Sequence, residues 1–228
     1  MNIQNPNSNK QYAAIFDMDG TLIDNNPYHF KAWKDLFEKY NRPEVTKELY
    51  EHKLSGVAGM PIMREFFSEY SETEMQELFE EKSRNYREAY APFAQPINGL
   101  ERFLTELKDA GVKLAIATSA AVNNIDYVMS HVHIRQYFDV IIDGPHVGKP
   151  KPHPQIFLKA AEDLGIKPEN CVVFEDSLSG VKAGNAAGMK VVGITTTHTA
   201  EQLQPVNLAI SDYTGLTAQK LAALFDTK

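Results

Sequence analysis

Five times along this chain a short apolar run stops at a polar cluster: YAAIF before Asp17, KLAIA before Thr118-Ser119, VII at 140–142 before Asp143-Gly144, CVVF before Glu175-Asp176, and VVGI at 191–194. A run that is apolar on both faces fits a strand covered on both sides, which is the habit of a parallel sheet. Amphipathic segments lie between the runs. Residues 100–110 stop at Gly111 and residues 154–164 stop at Gly165, and glycine ends helices well because it accepts left-handed backbone. Strand and helix in alternation predict an α/β fold built on a doubly wound parallel sheet. Ligands of such sheets collect beyond the carboxyl ends of the strands, so the polar clusters should meet at one edge.

Residues 27–95 break the pattern. HFKAWKDLFEKY, MPIMREFFSEY and EMQELFEEKSRNYREAY carry helical periodicity, and no strand is evident among them. The chain therefore divides into a core of residues 1–26 and 96–228 and an all-helical cap of residues 27–95 inserted after strand one. Hinges are expected near residues 25–27 and 95–99, where prolines restrict the backbone. Trp33, Phe37, Phe66 and Phe67 read as the apolar core of the insert, and the mixed charges of residues 72–87 as a solvated helix face.

Composition excludes several classes. A formal charge of -7 argues against a nucleic-acid partner, which calls for a basic face. No apolar run approaches the ~20 residues of a membrane span. Residues 1–10, rich in Asn, have neither the basic start nor the apolar stretch of a secretory signal and read as a frayed tail, so the cytoplasm is the expected compartment. Cys171 stands alone and heads an apolar run, which suits a small buried hydrophobe. A monomer is expected.

Asp17-Met18-Asp19-Gly20-Thr21 follows the first strand run. Residues i and i+2 leaving a strand point to one side, so both carboxylates can face one substrate, one attacking while the other moves a proton. A carboxylate attacks phosphorus poorly unless the negative charge between them is screened, and that demands a metal and a basic residue. Glu175 and Asp176 offer hard oxygen ligands suited to Mg²⁺. Thr118 and Ser119 open the next helix, where a hydroxyl and backbone N–H groups can take a phosphate. Lys149, in GKPKPHP, is the expected cation on a proline-flanked loop, with Lys151 ranked second and expected to be solvated.

In this order, DMDGT, ATS, GKP and FEDS resemble the four motifs of the haloacid dehalogenase superfamily, over almost the whole chain. The resemblance implies a Rossmann-like core with a mobile helical cap and an aspartyl-phosphate formed on Asp17. Asp19 would serve as acid and base, Thr118 would hold the phosphoryl group, and Lys149 would orient it. Mg²⁺ would lie on Asp17, the main-chain carbonyl of Asp19, and Asp176, with Glu175 bound directly or through water. Tyr28-His29-Phe30, Ala32-Trp33-Lys34 and GVKAGNAAG resemble the β-phosphoglucomutase group most. That likeness puts substrate contacts at Ser119, His29, Lys82 and Gly56. The mutases grip a distal phosphate with an arginine where this chain has Gly59, with Lys82 and Arg64 as possible substitutes. The resulting expectation is a phosphatase of small phosphorylated metabolites, with an intramolecular phosphomutase as the alternative. A non-catalytic phosphate-binding or receiver-like module is the remote one.

Overall fold

The computed structural model describes residues 11–226; the expected tail at residues 1–10 lies outside them. The strands are β1 (Ala13–Phe16), β2 (Lys113–Thr118), β3 (Val140–Asp143), β4 (Cys171–Glu175), β5 (Lys190–Ile194) and β6 (Leu208–Ile210). They form one parallel sheet in the order β3-β2-β1-β4-β5-β6. Five answer the five apolar runs. β6 is only three half-buried residues, too short to show a period, and it closes the edge beside β5.

The helices are α1 (Asn26–Lys39), α2 (Lys47–Leu49, running on as a π-helical turn at Tyr50–Leu54), α3 (Gly59–Phe66), α4 (Glu72–Tyr90), α5 (Leu100–Asp109), α6 (Val122–Val132), α7 (Gln155–Leu164), α8 (Leu178–Ala186) and α9 (Ala218–Ala223). Two buried apolar clusters cover the two faces of the sheet. β1, β2, β4 and β5 feed both clusters, and in β1 and β4 every residue is buried. Cys171 opens β4, where burial pushes its thiol up to about 12 and leaves it a packing residue. Among the described residues no helix is long and apolar enough to cross a membrane.

Helices α1 to α4 lie between β1 and β2 in sequence and bury a third cluster of their own, which includes Trp33, Phe37 and Phe67 as their spacing predicts. α4 is held open at its start by a full capping box between Ser71 and Glu74. Both connections to this insert leave the sheet at one place. Ile23 bridges Pro96, and Ile97 donates its N–H to the Leu22 carbonyl at 2.9 Å.

Candidate active site

The carboxyl ends of β1, β2 and β4 gather the charged groups. Asp17 continues β1 by one residue, its N–H donating to the Phe174 carbonyl of β4 at 3.0 Å, so the neighbouring strand fixes its position. The loop that follows turns at Gly20, whose φ of +75° is left-handed, and a Cβ there would land on the Asn26 amide and the Asp176 carboxylate. Only glycine lets the acidic loop lie this close to Asp176.

Behind Asp17 sits Lys151, whose ammonium donates to Asp17 Oδ1 and to Glu175 Oε1, each at 2.6 Å, with its side chain fully buried. Glu175 Oε2 accepts from the backbone N–H groups of Asp176 and Ser177 and from the Ser177 hydroxyl. Asp176 accepts from Thr21 Oγ1 on one oxygen and from Asn26 Nδ2 and Thr197 Oγ1 on the other. The ligating oxygens of Asp17, Glu175 and Asp176 lie within 4.8 Å of one another, close enough to share a cation.

Three carboxylates around one ammonium leave an excess of buried negative charge. Burial, then repulsion from Glu175, Asp176 and Asp19, raises the Asp17 carboxyl well above its usual range, although Lys151 opposes this. Burial and Glu175 push Asp176 up to about 8. Lys151 is raised instead, because attraction to Asp17 and Glu175 outweighs its burial.

A narrow cavity of about 70 Å³ opens in front of this cluster. Asp17, Asp19, Thr118 and Ser119 form its floor, and His29, Tyr50, Gly56 and Lys82 of the insert its roof. Asp19 Oδ1 accepts from Asn25 Nδ2 at 2.5 Å and faces His29 Nε2 at 3.5 Å. Burial lifts Asp19, but His29, the Asn25 hydrogen bond and Lys82 outweigh it and hold the carboxyl below its usual range. Lys82 Nζ lies 2.7 Å from His29 Nδ1. While Lys82 is charged its ammonium can only donate, so Nδ1 accepts and the ring proton sits on Nε2, toward Asp19. Burial brings Lys82 down to about 7, and burial with the charge of Lys82 lowers His29. The ring of His29 stacks on Tyr86 and Lys82 lies over Trp33, so aromatic faces support this otherwise unmatched cation.

The structure thus brings together Asp17, Asp19, Thr118, Ser119, His29, Lys82 and Gly56 on one cavity, with Glu175 and Asp176 beside Asp17. Lys149 is the correction. Its side chain is exposed and makes no part of the cavity, while Lys151, expected to be solvated, is the buried partner of Asp17. The two differ by two positions in one loop, and the path of that loop sends the second inward. Lys82 also departs from the solvated face expected of residues 72–87, being 3% exposed. Arg64 pairs with Glu72 on the surface and supplies no cation to the cavity. At Gly59 an added Cβ would overlap the Phe79 ring, so a side chain there would require that ring to shift.

Sequence reading missed Asn25, Asn26, Tyr86 and the run Thr196-Thr197-His198. Thr196 Oγ1 donates to the Gly20 carbonyl, Thr197 to Asp176, and His198 Nδ1 lies 2.9 Å from the Asp176 carbonyl. The signal was available, because this run follows the apolar strand VVGI just as the acidic motifs follow theirs.

A family model described as haloacid dehalogenase-like hydrolase matches residues 14–194. A phosphorylated carbohydrates phosphatase of Thermotoga maritima is 36% identical over 183 residues, 78% of this chain and 82% of that protein. A beta-phosphoglucomutase of Bacillus subtilis is 32% identical over 190 residues, 80% of this chain and 82% of that protein. The crystal structure of a beta-phosphoglucomutase from Clostridium difficile superposes with a TM-score of 0.84 at 28% identity, covering 95% of this chain and 97% of the other.

Proposed function

Since the chain belongs to the haloacid dehalogenase-like hydrolase family, we propose that it is a magnesium-dependent phosphatase of small phosphomonoesters, sugar phosphates foremost, working through a phosphorylated Asp17. The observation that carries this reading is the convergence of Asp17, Lys151, Glu175 and Asp176 at two adjacent strand ends, with Asp19 on the cavity wall two residues beyond Asp17.

The donor set suits a hard divalent cation, since it offers only oxygen ligands and carries more negative charge than Lys151 balances. Asp17, Asp176 and the main-chain carbonyl of Asp19 would hold Mg²⁺. Glu175 stands one step back, because Lys151 and Ser177 already engage its oxygens. Bound there, the cation would screen the phosphoryl oxygens from the attacking carboxylate.

The side chains supply the remaining steps. Lys151 holds one oxygen of Asp17, and the carboxylate attacks phosphorus while the ester bond breaks. Asp19 gives the departing oxygen its proton, then takes one from the water that attacks phospho-Asp17, and inorganic phosphate leaves. An arriving dianion raises the proton affinity of Asp19 and so readies it as an acid. Thr118 and the N–H groups at the start of α6 receive the phosphoryl oxygens.

The roof favours water over a sugar hydroxyl as the final acceptor. A phosphomutase must hold a second dianion, and Lys82 is the one lysine or arginine lining the cavity among the described residues. Phe79 fills the space at Gly59 where another cation would stand. The test is a phosphate-release screen over sugar phosphates, nucleotides and pyrophosphate with and without Mg²⁺, with acid quenching to trap label on the Asp17 peptide. Metal-dependent release and labelled Asp17 are expected. Full turnover in excess chelator, or label that never reaches Asp17, would overturn the reading. More glucose 6-phosphate than free phosphate from β-glucose 1-phosphate would replace the phosphatase with the mutase.

A further inference from the structure

Asp176 is gripped from two sides that belong to different parts of the molecule. Thr197, after β5, and Asn26, in the first turn of α1, both donate to the same carboxylate oxygen, Asn26 at 2.9 Å. Asn26 is 7% exposed, and its amide turns the NH₂ end to the Asp176 carboxylate. The carbonyl end then faces Tyr50, whose hydroxyl donates to Asn26 Oδ1 at 2.8 Å and lies 3.3 Å from the Asn26 main-chain oxygen. Tyr50 opens the π-helical turn that carries on to Leu54, and it lines the cavity roof. A continuous line of hydrogen bonds therefore runs from the roof, through Asn26, to a carboxylate of the acidic cluster. Gly20 leaves the space through which it passes.

We propose that Asn26 is a positioning residue that sets how tightly the acidic cluster holds its divalent cation, and that Tyr50 makes this grip depend on the insert. The proposal rests on the metal-dependent reading above. With Oδ2 held by two donors the Asp176 carboxylate keeps its orientation, and Oδ1, which accepts from Thr21 Oγ1 alone, retains a lone pair for the cation. With the amide removed, Asp176 can rotate among buried neighbours of its own charge. Loss of such an outer partner typically weakens metal binding by ~10- to 100-fold. The loss should appear in metal affinity before it appears in the chemical step, since the side-chain hydrogen bonds of Asn26 go to Asp176, Thr197 and Tyr50 and to neither Asp17 nor Asp19.

The experiment titrates the substrate-free protein with Mg²⁺ alone, read by the fluorescence of Trp33, the single tryptophan and part of the cavity wall, and by the shift in melting temperature. Asn26→Ala should raise the half-saturating Mg²⁺ concentration roughly 10- to 100-fold, with kcat at saturating Mg²⁺ reduced by much less. Thr197→Val should move it the same way. Tyr50→Phe keeps the ring and removes one hydroxyl, and it should weaken Mg²⁺ by a smaller factor, which keeps the test alive should Asn26→Ala fail to fold. Unchanged Mg²⁺ affinity in Asn26→Ala and Tyr50→Phe, beside a wild type that binds the ion and turns over, would overturn this proposal and leave the phosphatase reading standing. A fall in kcat at unchanged Mg²⁺ affinity would overturn it too. A wild type that neither binds Mg²⁺ nor needs it would overturn both.

Discussion

The sheet end and the roof of the insert face each other across one cavity, and they treat charge in opposite ways. At the sheet end every buried charge meets an opposite one or a fixed donor: Lys151 stands 2.6 Å from two carboxylates, and Asp176 has three donors. In the roof Lys82 makes no carboxylate pair among the described residues and rests on His29 and aromatic rings. The first arrangement is closed on itself and suits a reaction common to many phosphate esters. The second leaves a cation of adjustable charge on the cavity wall. On the function proposed above, the sheet end would carry the bond-breaking steps, and the roof would offer its cation to the rest of the substrate while supporting Asp19 through His29.

Substitutions can break this division or sharpen it. Asp17→Asn should reduce turnover by at least about 10⁴-fold while circular dichroism and melting stay those of a folded protein; retained activity would remove the sheet end from the reaction. Asp19→Asn should cost ~10²- to 10⁴-fold in kcat, the range for losing a general acid and base. Lys151→Met should lower kcat by about 10²- to 10³-fold through lost electrostatic support, and a change confined to KM would shift Lys151 from the reaction to binding.

The roof should answer differently. Lys82 is charged below about 7 and neutral above it, and only the charged form attracts a dianion. The part of kcat/KM that Lys82 supplies should therefore fall as pH rises through about 7. Lys82→Met should be roughly 10- to 100-fold poorer at pH 6 and should lack that limb; an identical profile in the variant would disconnect Lys82 from the substrate. Lys149→Met should change kcat by less than about twofold, as surface substitutions do, and a loss equal to that of Lys151→Met would contradict the burial that separates them.

Most of the sheet end was legible from sequence because its determinants are local. A strand buried on both faces must be apolar, and the acidic pair that ends it stands out against such a run. Asp17, Asp19, Glu175 and Asp176 could be located in this way. Sequence reading ranks Lys149 above Lys151, and that order is wrong, since both adjoin prolines in one loop and what distinguishes them is a turn of backbone that no composition encodes. Asn26 and Tyr50 escaped notice for another reason. Asn26 meets a residue 150 positions away in the chain, and Tyr50 meets Asn26 across 24; an asparagine next to a helix start reads as a cap. β6 was missed because three residues carry no period.

The pairing of Ile23 with Pro96 has a further consequence. With the two ends of the insert pinned side by side, β1 and β2 see it as a closed excursion. The entropy of closing a loop grows only with the logarithm of its length, about 0.6 kcal/mol for each doubling. The segment between these residues can lengthen, shorten or be replaced with little penalty to strand registry. One scaffold can thereby host successive roofs, provided each newcomer brings its own equivalents of the two asparagines that reach back to Asp19 and Asp176.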